Sequence, residues 1–297
     1  MNRSRLNLVL LVVAAGLGVG VWYSQEREEK GPPLTTLTAD ALTKIAIEHP
    51  GREAVRLEKR DGGWNLTAPS IARVDEFEIN SLLGLVDREV KKSLDRDSIK
   101  LAELGLDPPK YTITLNDTSI GFGDVEPLDY RRYVKVGDVV SLIEDPPSAA
   151  LDADYADLVA KSVLAMDAVI EKISVPGLTL ARGADGKWLL TPADATATTD
   201  RMQKLVDGWK SARAMWNEMP QAVSPKGEPV VITLKGGAEQ RLVLMERDPQ
   251  LKFYSPDAKT VYVLSKALTD ELLKLPEIPE PVVAPATTKD PGETPAS

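Results

Sequence analysis

Two stretches of this chain carry nearly the same message: VRLEKRDGGWNLTAP at residues 55–69 and LTLARGADGKWLLTP at residues 178–192. In each, a short alternating apolar run meets Asp-Gly, then a small or polar residue, Trp, Leu and a Thr close to Pro. Asp61-Gly62 and Asp185-Gly186 are hairpin signals, because Gly accepts the positive φ that a tight reversal demands. Trp64 and Trp188 then open the return strands. A chain that encodes one hairpin twice is constrained to an architecture with two places for it.

The echo extends well beyond the hairpins. LTKIAIEHPG precedes the first and VIEKISVPG the second, both alternating runs that end in Pro-Gly and read as a strand entering a turn. A helical pattern follows each hairpin: Ile79, Leu82, Leu83, Val86 and Val90 in the first, Met202, Leu205, Val206, Trp209 and Ala212 in the second. Next come the β-branched runs YTITL (111–115) and VVITL (230–234). YRRYVKVGDVVSLI (130–143) and LKFYSPDAKTVYVL (251–264) each read as strand, turn, strand. Short amphipathic helices are expected near 151, in LDADYADLVAKSVL, and near 265, in SKALTDELLKL.

The expected fold class is therefore α+β: an N-terminal transmembrane helix followed by two copies of a β-rich α+β unit. The period is about 120 residues, far longer than that of solenoid repeats. Repeat 1 is placed at residues 39–160 and repeat 2 at 161–275. Residues 24–38, with Pro32 and Pro33, read as a tether, and the Pro-, Thr- and Ala-rich residues 276–297 as a disordered or extended tail.

The membrane helix is read from Leu6 to Tyr23, an apolar run broken only by Asn7 and glycines. As a helix it is about 27 Å long, close to the hydrocarbon thickness of a bilayer. Arg3 and Arg5 precede it in a stub of residues 1–5, and Glu26, Glu28 and Glu29 outnumber Arg27 and Lys30 behind it. The positive-inside rule then leaves the amino end in the bacterial cytoplasm and the rest in the periplasm. Gly18-Val19-Gly20 would also suit a cleaved signal. Trp22 and Tyr23 at the outer interface favour an uncleaved anchor. Gly16 and Gly20 match the small-xxx-small pattern for packing between membrane helices.

Composition narrows the function classes. There are 45 acidic against 36 basic residues, a net charge of −9, which argues against nucleic acid as a partner. With no cysteine, thiolate metal sites, cysteine nucleophiles and disulfides are excluded. His49 is the sole histidine, so Ser-His-Asp catalysis or a histidine metal site has one possible centre. It is read as an exposed turn residue. IGFGDVEP reads as a hairpin connection and not a phosphate loop, since it opens no helix. Asp152, Asp154 and Asp157 lack EF-hand spacing and read as helix-start acids. No catalytic residue, metal ligand or cofactor site is assigned, and the chain reads as a non-enzyme. Trp64 and Trp188 are the candidate ligand or partner contacts, weighed against packing across their own hairpins.

Taken together, LEKRDGGWNLTAP, LGLDPPKYTITL and YVKVGDVVSLI leading to LDADYADLVAKSVL resemble a bacterial domain of unknown function, family four-three-four-zero. The resemblance covers about residues 39–275. The second half departs from it by carrying AVSPKGEP (222–229) where the first has the GLDPP element. It implies a membrane-anchored, exported protein without known enzymatic activity. Some members are companions of gliding-motility-type ABC transport systems. It supplies no site residues. The function expected is an accessory or scaffold for an inner-membrane complex of ABC-transporter type; the alternative is an envelope glycan- or peptide-binding module that uses the hairpin tryptophans.

Overall fold

The computed structural model describes residues 13–16, 30–60, 62–146, 154–222 and 225–277. It is built mostly of strands, in two large antiparallel sheets, with few helices. The chain divides into two compact units, Met1–Leu42 with Leu83–Pro146, and Thr43–Leu82 with Pro147–Ser297.

The first unit carries β5 (Val90–Leu94), β6 (Tyr111–Leu115), β7 (Thr118–Val125), β8 (Arg131–Val136) and β9 (Val139–Glu144). They lie side by side in the order β6-β7-β8-β9-β5, all antiparallel. YTITL becomes β6 with strict alternation: Tyr111, Ile113 and Leu115 are buried and the two threonines are half-buried. Tyr111 stacks on Phe122 of β7 with ring centroids 4.6 Å apart. Arg132 lies 5.9 Å over Tyr111 and grips Asp145 through Nε at 2.5 Å and Nη2 at 2.9 Å, a bidentate pair.

Two expectations change in this unit. IGFGDVEP is no turn, because Gly121 and Gly123 lie inside β7. The reason is crowding: a Cβ at Gly123 would run into the Leu104 carbonyl, and one at Gly121 would touch Pro109 at 3.5 Å. Residues 30–38, assigned to the tether, are held down: Leu34 N–H donates to Arg88 O, Val90 N–H to Pro32 O, and Thr35 Oγ1 to Val86 O.

The second unit carries β1 (Lys44–Glu48), β2 (Val55–Arg60), β3 (Gly63–Ala68), β4 (Ala72–Arg73) and α1 (Glu76–Leu83, through Leu82), paired as β4-β3-β2-β1. It continues with α2 (Tyr155–Leu158), β10 (Ile170–Val175), β11 (Leu178–Arg182), β12 (Trp188–Thr191), α3 (Thr199–Ser211), β13 (Trp216–Glu218), β14 (Glu228–Leu234), β15 (Glu239–Glu246), β16 (Leu251–Ser255), β17 (Thr260–Leu264) and α4 (Leu268–Leu273). The later strands form one eight-stranded sheet, β12-β11-β10-β14-β15-β16-β17-β13. Every residue of β17, TVYVL, is buried, as expected of a strand covered on both faces. Helix α3 keeps its expected extent and Trp209 its place in the core. Trp209 is fully buried, with its ring 5.5 Å from Phe253 and its Nε1–H donating to Leu272 O at 2.9 Å.

Helix α1 is shorter than its apolar spacing suggests. It ends at Leu83, before the poor helix former Gly84, and Val90 begins β5 opposite Ile143. The helix expected near 151 is the single turn α2, after which residues 159–163 leave the helix, bending at Lys161 and Val163. Their backbone groups are taken up laterally: Ala160 N–H donates to Arg73 O at 2.8 Å and Val163 N–H to Ala212 O at 3.0 Å.

Among the described residues no helix is long and apolar enough to cross a membrane. Of the anchor read from Leu6 to Tyr23, only Val13–Gly16 is described, and it is helical and exposed. Gly20, residues 1–5 and residues 278–297 lie outside the described residues.

Candidate functional site

Within the second unit, residues 158–163 form a seam between two strand-like segments. On one side Asp75 N–H donates to Leu158 O at 2.8 Å, and Val74 bridges Val159. On the other Ala214 N–H donates to Lys161 O at 2.8 Å, and Ser162 bridges Arg213. Side chains reinforce both sides: Arg73 Nη2 donates to Ser162 O at 2.7 Å, Arg213 Nη1 to Ser162 Oγ at 3.1 Å, and Asn217 Nδ2 to Val159 O at 2.8 Å.

At the centre of the seam sits Asp75, 5% exposed. It caps α1: its Oδ1 accepts from Phe77 N–H at 3.1 Å and its carbonyl accepts from Ile79 N–H. Its Oδ2 faces two cations, Lys161 Nζ at 3.8 Å and Arg213 Nη2 at 3.6 Å. In a capping box Glu78, three residues on, would accept from the Asp75 N–H. That N–H is already given to Leu158, and Glu78 Oε2 is left buried without a hydrogen-bond partner. Burial pushes the Glu78 carboxyl above its ordinary range, and Asp75 and Asp157 push it the same way against the pull of Lys161. Asp157 is also raised, by burial first and then by Asp154. This is a clamp of opposed charges. Among the described residues no group of three or more His, Cys, Asp or Glu is arranged to hold a metal ion.

Two pockets open nearby. One, about 410 Å³, is lined by His49, Arg52, Val55, Pro69, Tyr155 and Met219, among others. His49 is therefore half-buried in a pocket wall and not an exposed turn residue. The other, about 260 Å³, lies between the β3–β4 hairpin, the seam and the β16–β17 turn.

The structure gives the two hairpin tryptophans different surroundings. Trp188 is 9% exposed; its indole Nε1–H donates to Gln203 Oε1 of α3 at 3.4 Å, and Arg182 covers its ring at 5.5 Å. Trp64 is half-buried opposite Lys59. Neither is among the residues lining the two pockets described. Gly16 is exposed with no neighbouring atom within 4 Å of where a Cβ would stand.

Sequence reasoning missed Asp75, Glu78, Lys161 and Arg213. The Asp-x-x-Glu spacing before an apolar run could have pointed to a helix cap, but nothing local marks the two cations as its partners.

A family model described as "Domain of unknown function (DUF4340)" matches residues 64–224. No curated protein and no solved structure matches the chain.

Proposed function

The chain belongs to the DUF4340 family, and from that premise we propose a single-pass inner-membrane protein whose periplasmic part serves as an accessory or scaffold for an ABC-transporter-type envelope complex. The observation that carries this reading is the apolar run from Leu6 to Tyr23, with Arg3 and Arg5 before it and Glu26, Glu28 and Glu29 outnumbering Arg27 and Lys30 after it. An anchor confines the sheets near the bilayer and raises their effective concentration at a membrane partner. Strand β12 is outermost in its sheet, with Leu189 60% exposed, and supports a contact by strand addition.

The proposal includes the duplication. Its support is topological. The order β3-β2-β1 in one sheet has its counterpart in β12-β11-β10, and β6-β7-β8-β9-β5 in β14-β15-β16-β17-β13. A helix follows each tryptophan hairpin, and Gly62 and Gly186 occupy the two hairpin turns with the same φ of 80°.

The test is a photo-crosslinker placed at Leu189 of the full chain in cells, followed by membrane fractionation and identification of what is captured. Recovery in the inner-membrane fraction with transporter subunits attached is the expected result. A chain extracted from the membrane by alkaline carbonate, or one that captures no membrane protein, would overturn the proposal.

A further inference from the structure

The 260 Å³ pocket has the makings of a ligand site in which neither tryptophan takes part. It draws on four separate stretches of chain, one of them the seam at Ala160 and Val163. Asn65 and Arg73 are directly opposed cross-strand partners on β3 and β4 and so point to one side of the hairpin. Gln240 comes from β15, Ser255 and Asp257 from the β16–β17 corner, and Tyr262 from β17. Exposed Ile71 supplies an apolar wall.

Two features mark it as built. Tyr262 is 4% exposed and lines the pocket, yet its hydroxyl has no hydrogen-bond partner among the described residues. The ring is packed away while the hydroxyl is not among the buried orphaned polar atoms, so it opens into the cavity, within reach of whatever enters. The walls are also tied together: Lys259 Nζ donates to Pro69 O at 2.9 Å, and Tyr155 Oη donates to Lys259 O at 2.7 Å. The corner and the hairpin are thereby held in place before any ligand arrives, which lowers the cost of binding.

The polar groups decide the ligand class. Arg73 and Asp257 cancel in charge, while Asn65, Gln240 and Tyr262 each donate and accept. β4 is occupied on both sides, by β3 and by Ala160, so the backbone of the hairpin is closed to strand addition here. We infer that this pocket binds a small, uncharged, hydroxyl-rich ligand of the sugar class, read by the Asn65, Gln240 and Tyr262 side chains. Its volume lies just below the usual range for small-molecule sites, which suits one or two rings at the tip of a longer glycan.

Binding here does not depend on the accessory role, and the test reads ligand binding alone. Full-length protein in detergent is titrated with N,N′-diacetylchitobiose, maltose and, as a peptide probe, tetra-alanine, using saturation-transfer NMR and calorimetry. At least one disaccharide binds. Tyr262→Phe and Gln240→Ala each weaken it about three- to tenfold, the worth of one hydrogen bond, with the melting temperature unchanged. No transfer to either disaccharide, transfer only to tetra-alanine, or an affinity untouched in both variants would overturn it. The second variant lies on another strand and keeps the test open should Tyr262→Phe alter the core.

Discussion

Asp75 and Glu78 stand three residues apart on one helix start and have opposite fates. Asp75 caps the helix and faces two cations, while Glu78 is buried with an oxygen unsatisfied. Replacing Asp75 by Ala removes the cap and leaves Lys161 and Arg213 without their shared anion, at a cost of about 2 kcal/mol, measurable by urea unfolding. Glu78 works the other way. Its folded-state pKa lies above the unfolded one, so its contribution to stability is complete below the ordinary glutamate range. That contribution is lost as pH rises through the raised value. Glu78→Gln is therefore expected to melt several degrees higher than the parent near pH 7. The gap should close as the pH is lowered toward 4; a gap that is constant with pH would rule out titration of Glu78 as the cause. The Asp-x-x-Glu spacing hinted at the cap, but the fate of Glu78 was not visible residue by residue, because what raises it is burial, and burial is a property of the fold.

At the scale of elements the hairpins were the most legible feature, since Asp-Gly between alternating runs specifies a turn by local sterics alone. Gly186 has φ of 80°, open space around it, and a side chain there would suffer only the left-handed backbone penalty. Gly186→Ala should cost about 1 kcal/mol. Gly123 has no such conformational excuse and sits mid-strand against the Leu104 carbonyl. Gly123→Ala must push backbone apart and should cost about 2–3 kcal/mol. Equal effects in paired denaturation curves would contradict this division between turn glycines and packing glycines. The same distinction explains the misreading of IGFGDVEP: glycine in a sequence signals either a turn or a close neighbour, and only the neighbour tells which. Helix α3 was legible for the opposite reason, because its apolar face repeats cleanly through Trp209; the structure adds the Thr198 cap, whose hydroxyl accepts from Arg201 N–H.

For the molecule, the consequential feature is the seam at residues 158–163, where one segment is hydrogen-bonded to Arg73 and Asp75 on one flank and to Ala212 and Ala214 on the other. Such a segment should open only with its neighbours. Hydrogen exchange is expected to show the amides of Asp75, Ala160, Val163 and Ala214 protected as one set, with a common dependence on denaturant; Ala160 exchanging alone and early would mark the seam as a loose linker. Sequence alone suggested a short amphipathic helix there, in LDADYADLVAKSVL. The backbone chose lateral partners instead. What the amino-acid sequence determined by itself was what short-range physics can decide: tight turns at Asp-Gly, strands at β-branched alternation, the α3 stripe, and the family to which the hairpin and its flanks belong. What only tertiary structure decided was which distant groups meet. Asp75 met Lys161 and Arg213, Trp188 met Gln203, and Asn65 met Gln240 and Tyr262 around one cavity, because pairing across a sheet brings together residues whose separation along the chain carries no local signal.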